Sequence, residues 1–180
     1  MIVIGIDPSS IRTGYGVIEY RGRERRYVAC GCITPGREQA FEDRLVYMFE
    51  RLREIVIEQE PAEAAVESTF FGRDAAAAAK LGQARGVLIL ALRLAGTPIW
   101  HYSPAEVKRA ITGHGQASKK QVQFVTAKLL GLSALPTPMD ASDALAISLC
   151  HTFRSDVVPH DRSSGRSPEV DDLLRRMIRR

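Results

Sequence analysis

The sequence is short of cysteine: Cys30, Cys32 and Cys150 are three in 180 residues. An odd number without paired-ligand spacing excludes a disulfide scaffold and a zinc cage, and free buried thiols in a reducing, cytoplasmic setting are the expectation. No apolar run looks long enough to cross a bilayer, and Met1 leads into a strand rather than a signal peptide, so no membrane role is expected. No internal repeat and no second globular domain stand out. The most telling shortage is of one charge sign. From Val107 to Met139 there is no acid at all, while Lys108, Arg109, Lys119, Lys120 and Lys128 fall in that stretch. The chain's net charge of +4 and pI near 9.1 are mild, so the bias is local and reads as a footprint for a polyanion.

What is present fits one α/β domain. Hydrophobic content of 45% with 26% charged residues is ordinary for a globular chain of this length. Ile2-Val3-Ile4-Gly5-Ile6 is a β-branched run ending in Asp7-Pro8, so it reads as a buried central strand that stops where proline cannot donate to a ladder. Thr13 to Ile18 and Tyr27 to Ile33 follow as strands joined by tight turns, an antiparallel meander, with glycines where backbones approach closely. Phe41 to Gln59 carries apolar residues at helical spacing, and Pro61 follows its end. Ala64 to Glu67 is a short fourth strand, again ending in an acid. Asp74 can cap a helix through Ala75–Ala95, where Gly82 and Gly86 invite close packing in the fold or across subunits. Thr97 to Tyr102 reads as a fifth strand. Ser103-Pro104-Ala105-Glu106 is a capping box, Ser118 opens a basic helix, and Leu135 to Pro138 reads as a linker to a final helix from Asp140 to about Arg154. The expected domain is 1–154. A polar tail, 155–180, has two readings, a mobile segment or one whose Arg-rich end, Leu173 to Arg180, forms a short amphipathic helix or a basic tail.

Four acids stand out. Asp7 and Glu67 end strands, and Asp140 and Asp143 are spaced i, i+3 at the head of an otherwise apolar helix. Each alone reads equally as a turn acid or a helix-dipole partner. Convergent carboxylates repel one another and need hard cations, for which Mg²⁺ is the usual choice. Carboxylates with Mg²⁺ facing a basic surface point to two-metal phosphodiester hydrolysis. Phe70, Phe71 and Arg73 form a loop with two readings, burial or contact with bases and phosphate.

The blocks GIDPSSIRTGYGVI, AVESTFF, KLGQARGV and DASDALAIS resemble, in order and spacing, the RuvC-type Holliday junction resolvases, a family of ribonuclease H-like nucleases. The resemblance covers about residues 1 to 152. It implies a ribonuclease H-like fold with a mixed five-stranded sheet, and Asp7, Glu67, Asp140 and Asp143 as metal-binding catalytic acids. It further implies two Mg²⁺ (or Mn²⁺) per site and Phe70 as an aromatic that disturbs base pairs, with Phe71 and Arg73 beside it. Lys108 and Lys119 match basic residues acting on the DNA backbone, and Lys120 adjoins them. A homodimer on four-way junction DNA and a branch-migration motor partner are also implied. Ser9 departs from the family's usual glycine, which predicts a turn less free to adopt positive φ. A rival, the actin-like kinases and ATPases, opens on a similar strand and acidic turn but needs a second lobe that 180 residues cannot contain.

Overall fold

The computed structural model describes residues 1–68, 74–155 and 167–172. Five strands, β1 (Ile2–Asp7), β2 (Thr13–Arg21), β3 (Glu24–Ile33), β4 (Glu63–Glu67) and β5 (Ile99–Tyr102), form one sheet in the order β3-β2-β1-β4-β5. The first three are antiparallel, and β4 and β5 run parallel to β1. The helices are α1 (Phe41–Gln59), α2 (Ala75–Leu94), α3 (Pro104–Thr112), α4 (Lys119–Leu129) and α5 (Met139–Ser155). The expected mixed sheet with an antiparallel meander is therefore what the chain forms.

Strand alternation sorts the core into two layers. Ile4, Ile6, Ala64 and Val66 point toward α1 and α2, where they meet Met48, Leu52, Leu88 and Leu92. Val3 and Ala65 point the other way, into a cluster with Val107, Val122, Leu145 and Ile147 of α3, α4 and α5. The parity that sends Val3 and Ala65 toward α5 sends Asp7 and Glu67 there too. Ile6 lies opposite Val66 in the parallel ladder, so the two acids leave adjacent strands one residue later.

The glycines of β1 and β2 let α5 lie on the sheet itself. A Cβ on Gly14 would stand 2.0 Å from the Asp140 carbonyl oxygen, and one on Gly16 would stand 2.5 Å from the Leu145 nitrogen. Glycine is required there because a backbone occupies the space a side chain would take. Local signals set the helix ends. The Asp74 carboxylate accepts from the Ala76 and Ala77 amides, and both α3 and α4 open on complete capping boxes at Ser103 and Ser118. Helix α1 ends as Glu60 turns left-handed, at φ 45°, and Pro61 follows.

Several expectations change. Strand β5 begins at Ile99 rather than Thr97, and β4 reaches back to Glu63. Cys30 and Cys32 are only half-buried, whereas Cys150 is fully buried; all three are free. The Leu135–Pro138 segment is no slack linker, since Gln123 Nε2 donates to the Pro136 carbonyl over 2.8 Å and Pro136 is buried. Helix α2 is long and apolar enough by composition to cross a membrane, contrary to the sequence expectation. Its Ala84, Leu88, Ala91 and Leu92 instead enter the core. No atom of the described residues lies within 4 Å of a Cβ built on Gly82 or Gly86, so these glycines serve no packing inside the described chain. The calls on Phe70, Phe71 and Arg73, and on the segment 173–180, lie outside the described residues.

Candidate active site

Asp7 is the last residue of the central strand and Glu67 the last of its parallel neighbour, while Asp143 reaches them from the second turn of α5. Burial pushes the Asp7 carboxyl up to about 8, and the charges of Glu67, Asp143 and, more weakly, Asp140 add to the shift; Lys119 opposes it. Burial also raises Glu67, to about 6, with Asp143 next in effect and Lys119, Lys108 and a hydrogen bond from Asp7 working the other way. Asp7 thus keeps a proton at neutral pH and hydrogen-bonds Glu67, the arrangement expected of carboxyls that cannot all ionise together.

Asp140 stands slightly apart. It occupies the first turn of α5, and its Oδ2 lies 3.7 Å from the Arg12 guanidinium. The structure therefore brings Asp7, Glu67 and Asp143 within Coulombic reach of one another, Asp7 hydrogen-bonded to Glu67, and leaves Asp140 at the rim, shared between them and Arg12. Among the described residues no three acid, histidine or cysteine side chains form a ready-made metal cage. The donor set still fits a hard cation. All the candidate donors are carboxylate oxygens, and the burial and mutual repulsion that raise Asp7 and Glu67 are what a bound cation would relieve.

Positive charge comes from two helices. Lys119 Nζ donates to Asp143 Oδ2 at 2.5 Å. Partial burial works to lower the pKa of Lys119, but its bond to Asp143 and the charges of Asp7 and Glu67 raise it overall, so it stays an ammonium. Lys108 and Lys119, with Glu67 and Asp143, line a cavity of about 190 Å³ whose wall is Pro104, Val107, Val122 and Ala146. Lys120 follows on α4 but is exposed and lines no part of that cavity. The cavity's lining sets the two carboxylates and two lysines beside an apolar wall.

Three residues make contacts at the site that sequence reasoning did not assign them. Arg12, on the turn after Asp7, is one; a lone base beside an acidic turn was its only signal. Ser9 is the second. Its Oγ accepts from the Ile11 and Arg12 amides, and Thr13 Oγ1 donates to its carbonyl. The serine thus closes the turn by side-chain bonds, without the positive φ that glycine would permit. The third is Arg85 of α2, which donates to the Glu67 carbonyl. It sits within the KLGQARGV block, with nothing local to indicate its target.

The family described as crossover junction endodeoxyribonuclease RuvC matches residues 3–151. The RuvC of Roseiflexus is 41% identical over 155 residues, 86% of this chain and 92% of that protein. The RuvC of Pseudomonas putida is 45% identical over 166 residues, 92% of this chain and 94% of the other. Among solved structures, Thermus thermophilus RuvC in complex with a Holliday junction substrate superposes with a TM-score of 0.82 at 34% identity, covering 87% of this chain and 96% of that one. The yeast mitochondrial Holliday junction resolvase shares the fold, with a TM-score of 0.59 at 15% identity. The sheet order, the α5 packing and these matches together make the architecture ribonuclease H-like. The chain belongs to the RuvC family of crossover junction endodeoxyribonucleases.

Proposed function

We propose that this chain resolves Holliday junctions by paired symmetric nicks, hydrolysing one phosphodiester in each of two strands and leaving 5′-phosphate and 3′-hydroxyl ends. The observation that carries the reading is the meeting of Asp7, Glu67 and Asp143 beside Lys119 and Lys108, in a chain of this family. Asp7 and Glu67 on the sheet and Asp140 and Asp143 on α5 are the metal-binding catalytic acids. When bound, two Mg²⁺ (or Mn²⁺) ions would supply an activated water and charge compensation at the leaving 3′ oxygen. On binding such ions, Asp7 would release the proton it holds. Lys119 and Lys108 hold the scissile phosphate over the acids, and the Val107 and Val122 side of the cavity limits water. Lys120 extends the basic track along α4, and Phe70, Phe71 and Arg73 act on DNA next to the crossover.

Symmetric nicking needs two sites, and a homodimer supplies them. Support for this comes from α2, where Gly82 and Gly86 face open space and Leu90 is half-exposed, an apolar surface that the described residues leave uncovered. Residues 1–154 form the nuclease domain, and 155–180 form an appended tail. The setting is DNA recombination and repair in the cytoplasm, alongside a branch-migration motor; free thiols agree with such a compartment. The test is cleavage of synthetic four-way junctions and linear duplex side by side, with and without Mg²⁺, by the wild type and Asp7→Asn. Junction-selective, Mg²⁺-dependent cutting is expected. The variant should fall by roughly three orders of magnitude while still binding junctions. Equal cutting of both substrates would leave a nuclease without a resolvase, and an active Asp7→Asn would remove the mechanism.

A further inference from the structure

The carboxylate of Glu67 faces α5, but its backbone is held from the opposite side of the sheet. Arg85 Nε donates to the Glu67 carbonyl oxygen over 3.2 Å, and Arg85 Nη2 meets His101 Nδ1 at 2.8 Å. Arginine has no acceptor, so His101 Nδ1 must be the unprotonated nitrogen and His101 carries its proton on Nε2. Burial, and then the charge of Arg85, hold His101 below its usual pKa, which keeps the ring neutral and able to accept. Glu67 ends its strand: the Ser68 amide donates to the Tyr102 carbonyl at 2.7 Å, and the described chain next resumes at Asp74. The charged groups that act most strongly on the Glu67 carboxyl are Asp143, Lys119 and Lys108. Arg85 therefore reaches Glu67 through the main chain rather than by pairing with its carboxylate.

We infer that Arg85 is a positioning residue for junction cleavage: it ties the end of β4 to α2 so that the Glu67 carboxylate stays aimed at Asp7 and Asp143, with His101 fixing the guanidinium plane. The inference rests on Glu67 being a metal-binding acid. Two acceptors on separate strands, Glu67 on β4 and His101 on β5, are bridged by one planar fork, which an ammonium cannot reproduce. Groups that orient metal ligands in this indirect way typically alter metal affinity or activity by about 10- to 100-fold when removed.

The experiment uses the full chain as wild type, Arg85→Ala, Arg85→Lys, His101→Ala, His101→Gln and Glu67→Gln. Three quantities are read for each: single-turnover cleavage of a synthetic junction across an Mg²⁺ titration, Mg²⁺ binding by calorimetry, and junction affinity without Mg²⁺, alongside thermal unfolding. Arg85→Ala should slow cleavage about tenfold or more and weaken Mg²⁺ binding to a similar extent, with junction affinity within about twofold of wild type. Arg85→Lys should fall between the two. His101→Gln, which keeps an acceptor, should retain more activity than His101→Ala. Wild-type rate and Mg²⁺ affinity in Arg85→Ala would overturn the inference. So would losses that merely track unfolding or junction affinity; if Arg85→Ala fails to fold, Arg85→Lys and the His101 pair decide on the same readouts. Normal cleavage by Glu67→Gln would instead overturn the reading of the site. A dead Glu67→Gln beside an unaffected Arg85→Ala would remove only the role of Arg85.

Discussion

The two ends of α5 make opposite use of buried polar groups. At the far end, His151 is fully buried between Tyr102 and Glu63, with the Tyr102 hydroxyl 2.7 Å from Nδ1 and Glu63 Oε2 2.8 Å from Nε2. The Trp100 ring closes over it, 4.9 Å between centroids. About 12 Å back along the same helix, Asp143 faces Glu67 and Asp7 and raises the proton affinity of both. Strand β4 takes part at both ends, through Glu63 and through Glu67. One end matches every ring nitrogen with a complementary group and so acts as a bolt. The other gathers carboxylates that Lys119 and Arg12 offset only in part, and cations would complete it. Buried polarity is therefore no mark of a site by itself; uncompensated charge is.

The largest expected break of this contrast is at the bolt. His151→Ala removes the imidazole from between Glu63 and Tyr102 and should cost about 3–4 kcal/mol of stability in urea unfolding. Cleavage per folded molecule in the cold should stay near wild type. Loss of cleavage with unchanged unfolding would mean that the two ends are not separate. Gly14→Ala should have a smaller effect on stability and a sharper one on function. Its methyl collides with the Asp140 carbonyl, so the head of α5 must shift; roughly 1–3 kcal/mol is expected, with cleavage falling further than stability explains.

The smallest effect, and the most diagnostic in sign, is that of Asp7→Asn on the metal-free chain. Folding raises the Asp7 pKa from 3.8 to about 8, so the native state holds a proton that the unfolded state gives up. Stability contributed by that proton is full below about pH 4 and is lost as pH rises toward 8; Glu67 adds the same trend up to about 6. Asparagine does not titrate. Asp7→Asn should therefore gain about 1 kcal/mol or more over wild type at pH 8.5 and nothing at pH 4, measured by thermal unfolding without Mg²⁺. Added Mg²⁺ should narrow the gap by stabilising wild type, most at high pH where Asp7 yields its proton readily. A difference independent of pH would show that Asp7 is not strained by its neighbours.

Much of this was legible in the chain because it rests on local rules. The β-branched run before Asp7, the capping boxes at Ser103 and Ser118, and the i, i+3 acids on α5 need only spacing and residue chemistry to be read. The glycines of β2 also announced close backbone approach, though not that the approaching backbone would be the head of α5. The half-burial of Cys30 and Cys32, the pinning of Pro136, and the open face at Gly82 and Gly86 depend on what packs alongside, which no local pattern encodes.

The sequence by itself determined the elements, their polarity and the carriers of charge: acids at two strand ends and at one helix head, with an acid-free basic stretch to meet a polyanion. Tertiary structure decided which charges meet. Strand parity turned Asp7 and Glu67 toward α5, the glycine floor let α5 descend onto β1 and β2, and the exposed Lys119 paired with Asp143. It also drew distinctions invisible in the chain: Asp140 set beside Arg12, and Arg85 sent to the Glu67 carbonyl. The physical reason is range. Propensity, capping and alternation act over a few residues, whereas burial and Coulomb interaction depend on distances in space that only the folded chain sets.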